Sequence, residues 1–170
     1  MQRRAQPHLF IDGWNIAHDW PEIRAHWREG PGAVAAALEA RLRVLHDRAD
    51  REVTLVFDGR GATAGAVPVP QEEGMRVVFT DAGISADAYI ERRVGEAAEE
   101  AAFAVATGDR ALANAVFAMG ADVLSPHVLR EEVERCEAAP QRGLPRSNEP
   151  LAENPFGALD GFFGEDGKKS

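Results

Sequence analysis

The chain has 170 residues, 45% hydrophobic and 28% charged, enough for one ordinary globular domain plus a further segment. Its formal charge of −9 argues against a protein that grips nucleic acid over a broad basic surface, but not against an enzyme whose carboxylates hold a divalent cation. The single cysteine, Cys136, excludes a disulfide scaffold and a multi-cysteine zinc site, and no apolar run approaches the roughly 20 residues of a membrane helix. With no secretory leader at the N-terminus, a cytoplasmic protein without a membrane partner is expected.

In chain order, His8–Asp12 is a short apolar run closed by Asp-Gly, the signature of a buried strand. Pro31–Ala49 carries Val34, Leu38, Leu42 and Leu45 at helical spacing. Val53–Phe57 is a second buried strand, again closed by Asp-Gly, and Gly59–Glu73 is a loop rich in Gly, Ala and Pro. Within it, Gly61–Pro70 has the composition of a flexible lid beside Asp58. Met75–Phe79 reads as a third strand, Ser85–Glu100 as a helix capped by Ser85, and Ala101–Ala106 as a fourth strand. Asp109–Met119 is a helix stopped by Gly120, Asp122–Leu124 a fifth strand, and Pro126–Ala138 a helix opened by proline, with Cys136 as a packing thiol.

Strands separated by helices predict an α/β three-layer sandwich with a mainly parallel sheet, over residues 1–139. From 140 to 170 the pattern gives way to a flexible Pro/Gly-rich tail, whose Phe156, Leu159, Phe162 and Phe163 are candidates for docking.

The chemistry sits where the strands end. The first strand ends at Asp12 and the second at Asp58, Asp109 follows the fourth, and Asp87 opens the helix after the third. Ligands of an open parallel sheet bind beyond the carboxyl ends of its strands, so four aspartates are expected on one rim. Clustered carboxylates repel unless a cation neutralises them, and an all-oxygen set suits Mg²⁺ or Mn²⁺. Such an ion serves phosphodiester hydrolysis.

Each residue also fits a plainer role. Asp12-Gly13 and Asp58-Gly59 fit turns, Asp109 a helix N-cap, and Asp87 an acid favoured by a helix dipole. Glu91, four residues past Asp87, lies on the same face as either a ligand or a partner for Arg92. Asn15 and Thr107 are candidates to orient ligands. Trp14 is the candidate to stack a base, with Trp20 and Trp27 as packing residues. Arg60, Arg92, Arg93 and Arg110 are the candidate phosphate contacts. His18, His26, His46 and His127 have no ligand-like spacing.

The segments Ile11-Asp12-Gly13-Trp14-Asn15-Ile16, Val56-Phe57-Asp58-Gly59, Val78-Phe79-Thr80, Ala86-Asp87-Ala88-Tyr89-Ile90-Glu91, Ala106-Thr107-Gly108-Asp109-Arg110 and Leu129-Arg130-Glu131-Glu132-Val133 run in this order. Together they resemble the NYN domain family, in its bacterial YacP-like branch, within the PIN-like nuclease group. The resemblance implies a PIN-like fold and endoribonuclease activity with Mg²⁺ or Mn²⁺. It implies a metal site on Asp12, Asp58, Asp87 and Asp109, supported by Asn15 and Thr107. Where this branch often carries serine, Gly108 stands here, and Trp14 stands where tyrosine is common. RNA is the expected partner. The competing reading is a catalytically weak RNA-binding or ribosome-associated module of the same fold. A metal-dependent phosphatase would need an Asp-x-Asp strand end, which Asp12-Gly13-Trp14 does not supply.

Overall fold

The structure, a computed structural model, describes residues 6–59, 75–97 and 101–140. Five strands form one sheet: β1 (His8–Asp12), β2 (Val53–Phe57), β3 (Met75–Phe79), β4 (Phe103–Ala106) and β5 (Asp122–Leu124). Their order is β3-β2-β1-β4-β5 and every pairing is parallel. The three central strands β1, β2 and β4 are almost wholly buried, which is why they read as continuous apolar runs rather than alternating ones.

Side chains alternate between the two faces, and each face has its own core. Leu9, Ile11, Leu55, Phe57, Ala104 and Ala106 pack with α1 (Gly13–Asp19), α2 (Pro21–Arg24), α3 (Pro31–Ala49) and α6 (Pro126–Ala138). Phe10, Val56 and Val105 pack with α4 (Ala86–Ala97) and α5 (Arg110–Ala118). The result is the expected three-layer α/β sandwich, with a sheet that is wholly parallel.

Two elements start later than the sequence suggests. The Ala101 backbone N–H donates to the carbonyl of Ala97, the last residue of α4, and β4 begins only at Phe103. Asp109 caps α5 from outside, so that helix begins at Arg110. The segment 13–28, to which the sequence pattern assigned no element, folds as α1, α2 and a 3₁₀ turn (Ala25–Arg28). These pieces are too short for a periodic stripe, but they bury Ile16, Ala17, Trp20 and Ile23. The Trp20 indole N–H donates to the Pro126 carbonyl at 3.1 Å, tying this segment to the start of α6.

At the opposite end of the sheet from the aspartates, Arg51 is buried between the Pro7 carbonyl (3.0 Å) and the Glu132 carboxylate of α6 (2.9 Å). Arg48 of α3 donates to the carbonyls of Cys136, Glu137 and Ala139, groups that a helix C-terminus otherwise leaves unpaired. Cys136 is a half-buried free thiol, as expected. Among the described residues no helix is long and apolar enough to cross a membrane. The expected lid and Arg60 lie outside the described residues, as does the expected tail beyond Pro140.

Candidate active site

The strand order reverses between β1 and β4: β2 and β3 lie to one side, β5 to the other. A parallel sheet opens a crevice at such a switch point. Asp12 stands there as the last residue of β1, only 7% exposed. It alternates in phase with Phe10, so it faces the layer of α4 and α5, which carries Asp87 and is capped by Asp109.

Burial, and then the neighbouring charge of Asp87, push the Asp12 carboxyl up from its ordinary 3.8 to about 7. Protonated Asp12 donates a hydrogen bond to Asp87, raising Asp12 further. The Thr107 hydroxyl and the nearby Asn15 backbone N–H act the other way, the latter without completing a helix-cap bond. Asp87, half-buried, is also raised, first by burial and then by the charge of Asp109, with a smaller push from Asp58. Four carboxylates from four segments therefore act on one another electrically across the rim.

Around this pair the loops are cross-tied. Thr107, 3% exposed, donates to Asp12 Oδ2 at 3.4 Å and accepts from the Asp109 backbone N–H at 3.0 Å. Asn15 Oδ1 accepts from the Gly108 backbone N–H at 2.6 Å, so α1 holds the β4–α5 loop in place. Asp109 is a helix N-cap, and both bonds, from Ala111 (2.7 Å) and Leu112 (3.0 Å), land on Oδ1. The plain reading of Asp109 is thus realised, and it engages one of the two carboxylate oxygens.

The two Asp-Gly pairs need glycine for space, not for a left-handed backbone. Neither Gly13 nor Gly59 has a positive φ. Both are required by close approach: a Cβ on Gly13 would run into the Phe57 ring, and one on Gly59 into the Thr80 carbonyl oxygen. Gly13 lets α1 begin directly on Asp12. Gly59 lets the end of β2 lie against Thr80, whose hydroxyl accepts from the Gly59 N–H (3.1 Å) and donates to the Ile84 carbonyl (2.6 Å). Thr80 is a site-building residue to which the sequence pattern assigned no role; its position right after β3 was the available signal.

Gly108 also has a local reason. A Cβ there would stand 3.1 Å from Asn15 Oδ1 and 3.2 Å from Pro126 Cγ, tighter than ordinary packing. The proline that opens α6 occupies the space a serine would need.

Trp14 is half-buried against Phe57 and Trp27, with ring centroids at 4.6 and 5.5 Å, and its indole N–H donates to the Asp58 carbonyl at 3.2 Å. It braces the end of β2. Arg92 lies over the Tyr89 ring at 5.9 Å, Arg93 pairs with Glu96 at 3.7 Å, and Arg110 is exposed beside Asp109. Glu91 is half-buried on α4.

An all-oxygen set of mutually repelling carboxylates, two of them raised by burial and by neighbouring carboxylates, suits a hard divalent cation. Among the described residues, however, no three acidic, His or Cys side chains already stand in ion-holding geometry. Asp12 and Asp87 are drawn together; Asp58 and Asp109 flank them.

A doubly wound parallel sheet with an acidic rim at its switch point defines a PIN-like α/β domain. A family model described as the YacP-like NYN domain matches residues 9–157, and the chain belongs to that family of PIN-like nucleases. Among solved structures, it is similar to Rae1 (YacP) from Bacillus subtilis, at 25% identity and a TM-score of 0.66, over 78% of this chain and 76% of that one. A mutant form of the same protein gives 24% identity and a TM-score of 0.64, over 78% and 77%. No curated protein matches.

Proposed function

We propose that the protein is a metal-dependent endoribonuclease that hydrolyses RNA phosphodiester bonds at the Asp12–Asp87 rim. The observation that carries this reading is Asp12, a carboxyl buried at the switch point, whose pKa burial and Asp87 raise to about 7. A strand end that serves structure alone has no need of that arrangement.

Asp12 and Asp87 would hold Mg²⁺ or Mn²⁺, with Asp109 and Asp58 completing the site. An ion held there would supply Lewis-acid chemistry, polarising a phosphoryl oxygen and lowering the pKa of a water. The remaining work falls to the chain. Thr107 fixes Asp12 through Oδ2 and keeps the Asp109 loop in register. Asn15 fixes Gly108, and Asp12, whose pKa is raised, would have to give up its proton to hold the ion. Arg110 stands at the rim to meet the substrate backbone, and the cytoplasm is the compartment this activity implies.

Asp12→Asn and Asp109→Asn should fold normally and lose RNA cleavage, read on labelled RNA with Mn²⁺. Cleavage at the wild-type rate by either variant would sink the assignment.

One observation favours the second reading, a catalytically weak RNA-binding or ribosome-associated module: no three ligand-type side chains are gathered among the described residues. EDTA decides between them. Turnover that EDTA abolishes and Mn²⁺ restores identifies the enzyme, whereas RNA binding without turnover in any metal identifies the module.

A further inference from the structure

Away from the carboxylates, the segment 13–28 builds a hollow of about 580 Å³ lined by His18, Arg24, Ala25, Trp27 and Arg28. His18 lies stacked on Trp27, with centroids 4.7 Å apart and planes at 23°. Trp27 packs on Trp14, and Trp14 is hydrogen-bonded to the Asp58 carbonyl. A row of rings thus leads from the hollow to the rim.

The charges in the hollow are of one sign. Arg24 and Arg28 are exposed, four residues apart, and both line it. Among the described residues neither makes an ion pair or a side-chain hydrogen bond. Of the nearby acids, Glu22 pairs with Arg130 at 3.3 Å and Glu29 with His26 at 3.0 Å, and Asp19 is exposed at the end of α1. In a chain with 28 acidic residues against 19 Lys and Arg, two neighbouring arginines without a counter-ion among the described residues favour an anion from outside.

We infer that this hollow is a subsite for single-stranded RNA. A backbone phosphate sits on Arg24 and Arg28, and an unpaired base stacks on the face of His18 turned away from Trp27. Arginine fits phosphate oxygens, and stacking on an aromatic ring requires a base free of its duplex. The inference rests on the proposed function: the strand held here is the one cut at Asp12 and Asp87.

The test is fluorescence anisotropy with a labelled mixed-sequence oligoribonucleotide of about 12 nucleotides. EDTA is present, so binding is read without turnover. The double variant Arg24→Ala, Arg28→Ala should bind about tenfold more weakly at low salt. Its log K against log salt should be shallower by about 0.7 for each phosphate left without its arginine. Replacing both by lysine should keep the slope. His18→Ala should weaken binding severalfold with the slope unchanged, because stacking releases no counterions. Wild-type affinity and slope in the double alanine variant overturn the subsite. Should that variant melt early, wild-type affinity in His18→Ala overturns it instead. If the wild type cuts RNA with Mn²⁺ while these variants bind normally, only the subsite fails. If the wild type binds RNA through these residues without cutting it, only the nuclease reading fails. A wild type that does not bind RNA removes both.

Discussion

A carboxyl at the buried end of a parallel strand titrates differently from one in water, and Asp12 carries the consequence. Its folded pKa, about 7, lies above the ordinary 3.8. The folded state therefore holds an extra proton between those values. The stabilisation from this group is complete below about pH 4 and is lost as pH rises through 7. Without metal, Asp12→Asn should melt above the wild type at pH 8, and the gap should narrow towards pH 5. Thermal denaturation in EDTA over that range checks it; a gap independent of pH would show that Asp12 is not a buried, proton-holding acid. The same residue that costs stability when ionised in its buried place is the one proposed to meet the cation, a pattern common where function sets the residue.

The elements matter at the rim because loops from separate elements are pinned to each other there. Gly108 is the tightest case, with Asn15 of α1 on one side and Pro126 of α6 on the other. Gly108→Ser should destabilise by about 1 kcal/mol through overpacking. Adding Pro126→Ala should recover part of that stability, because both substitutions act on the same crowded space. Urea titration of the two single variants and the double variant measures it; strict additivity would mean that Pro126 is not what excludes the side chain. Elements also explain what could not be read in advance. The long helix α3 and the strands β1 and β2 stand at their expected bounds, because each has enough residues for a period or a buried run to show. The pieces α1, α2 and the 3₁₀ turn do not, and their positions depend on pairings such as Trp20 with Pro126, 106 residues apart.

For the whole molecule, the proposed cation would join β1, α4 and the loop before α5, segments far apart in sequence, and would bind the folded chain alone. Such a ligand stabilises by RT ln(1 + [L]/Kd), about 2.7 kcal/mol at a hundredfold excess over Kd. Mn²⁺ should raise the melting temperature of the wild type in a concentration-dependent way, and should do little for Asp12→Asn or Asp87→Asn. Equal shifts in all three proteins would place any bound Mn²⁺ elsewhere. The charge of −9 belongs to this scale too. With acids in excess, the exposed cations at Arg24, Arg28 and Arg110 carry more weight than they would in a basic protein.

The sequence alone determined the strands, the long helices, the parallel α/β class and the four aspartates at segment ends, because burial and period are local properties of the chain. It also carried the family, through the order and spacing of its motifs. The tertiary structure alone decided the rest. It paired Asp12 with Asp87, made Asp109 a cap through one oxygen, and set the glycines of both Asp-Gly pairs against Phe57 and Thr80. It also placed two arginines, unpartnered among the described residues, beside His18 and Trp27. Those facts depend on the distance between residues remote in sequence, and a carboxyl's charge or a glycine's necessity is fixed by what the fold brings next to it.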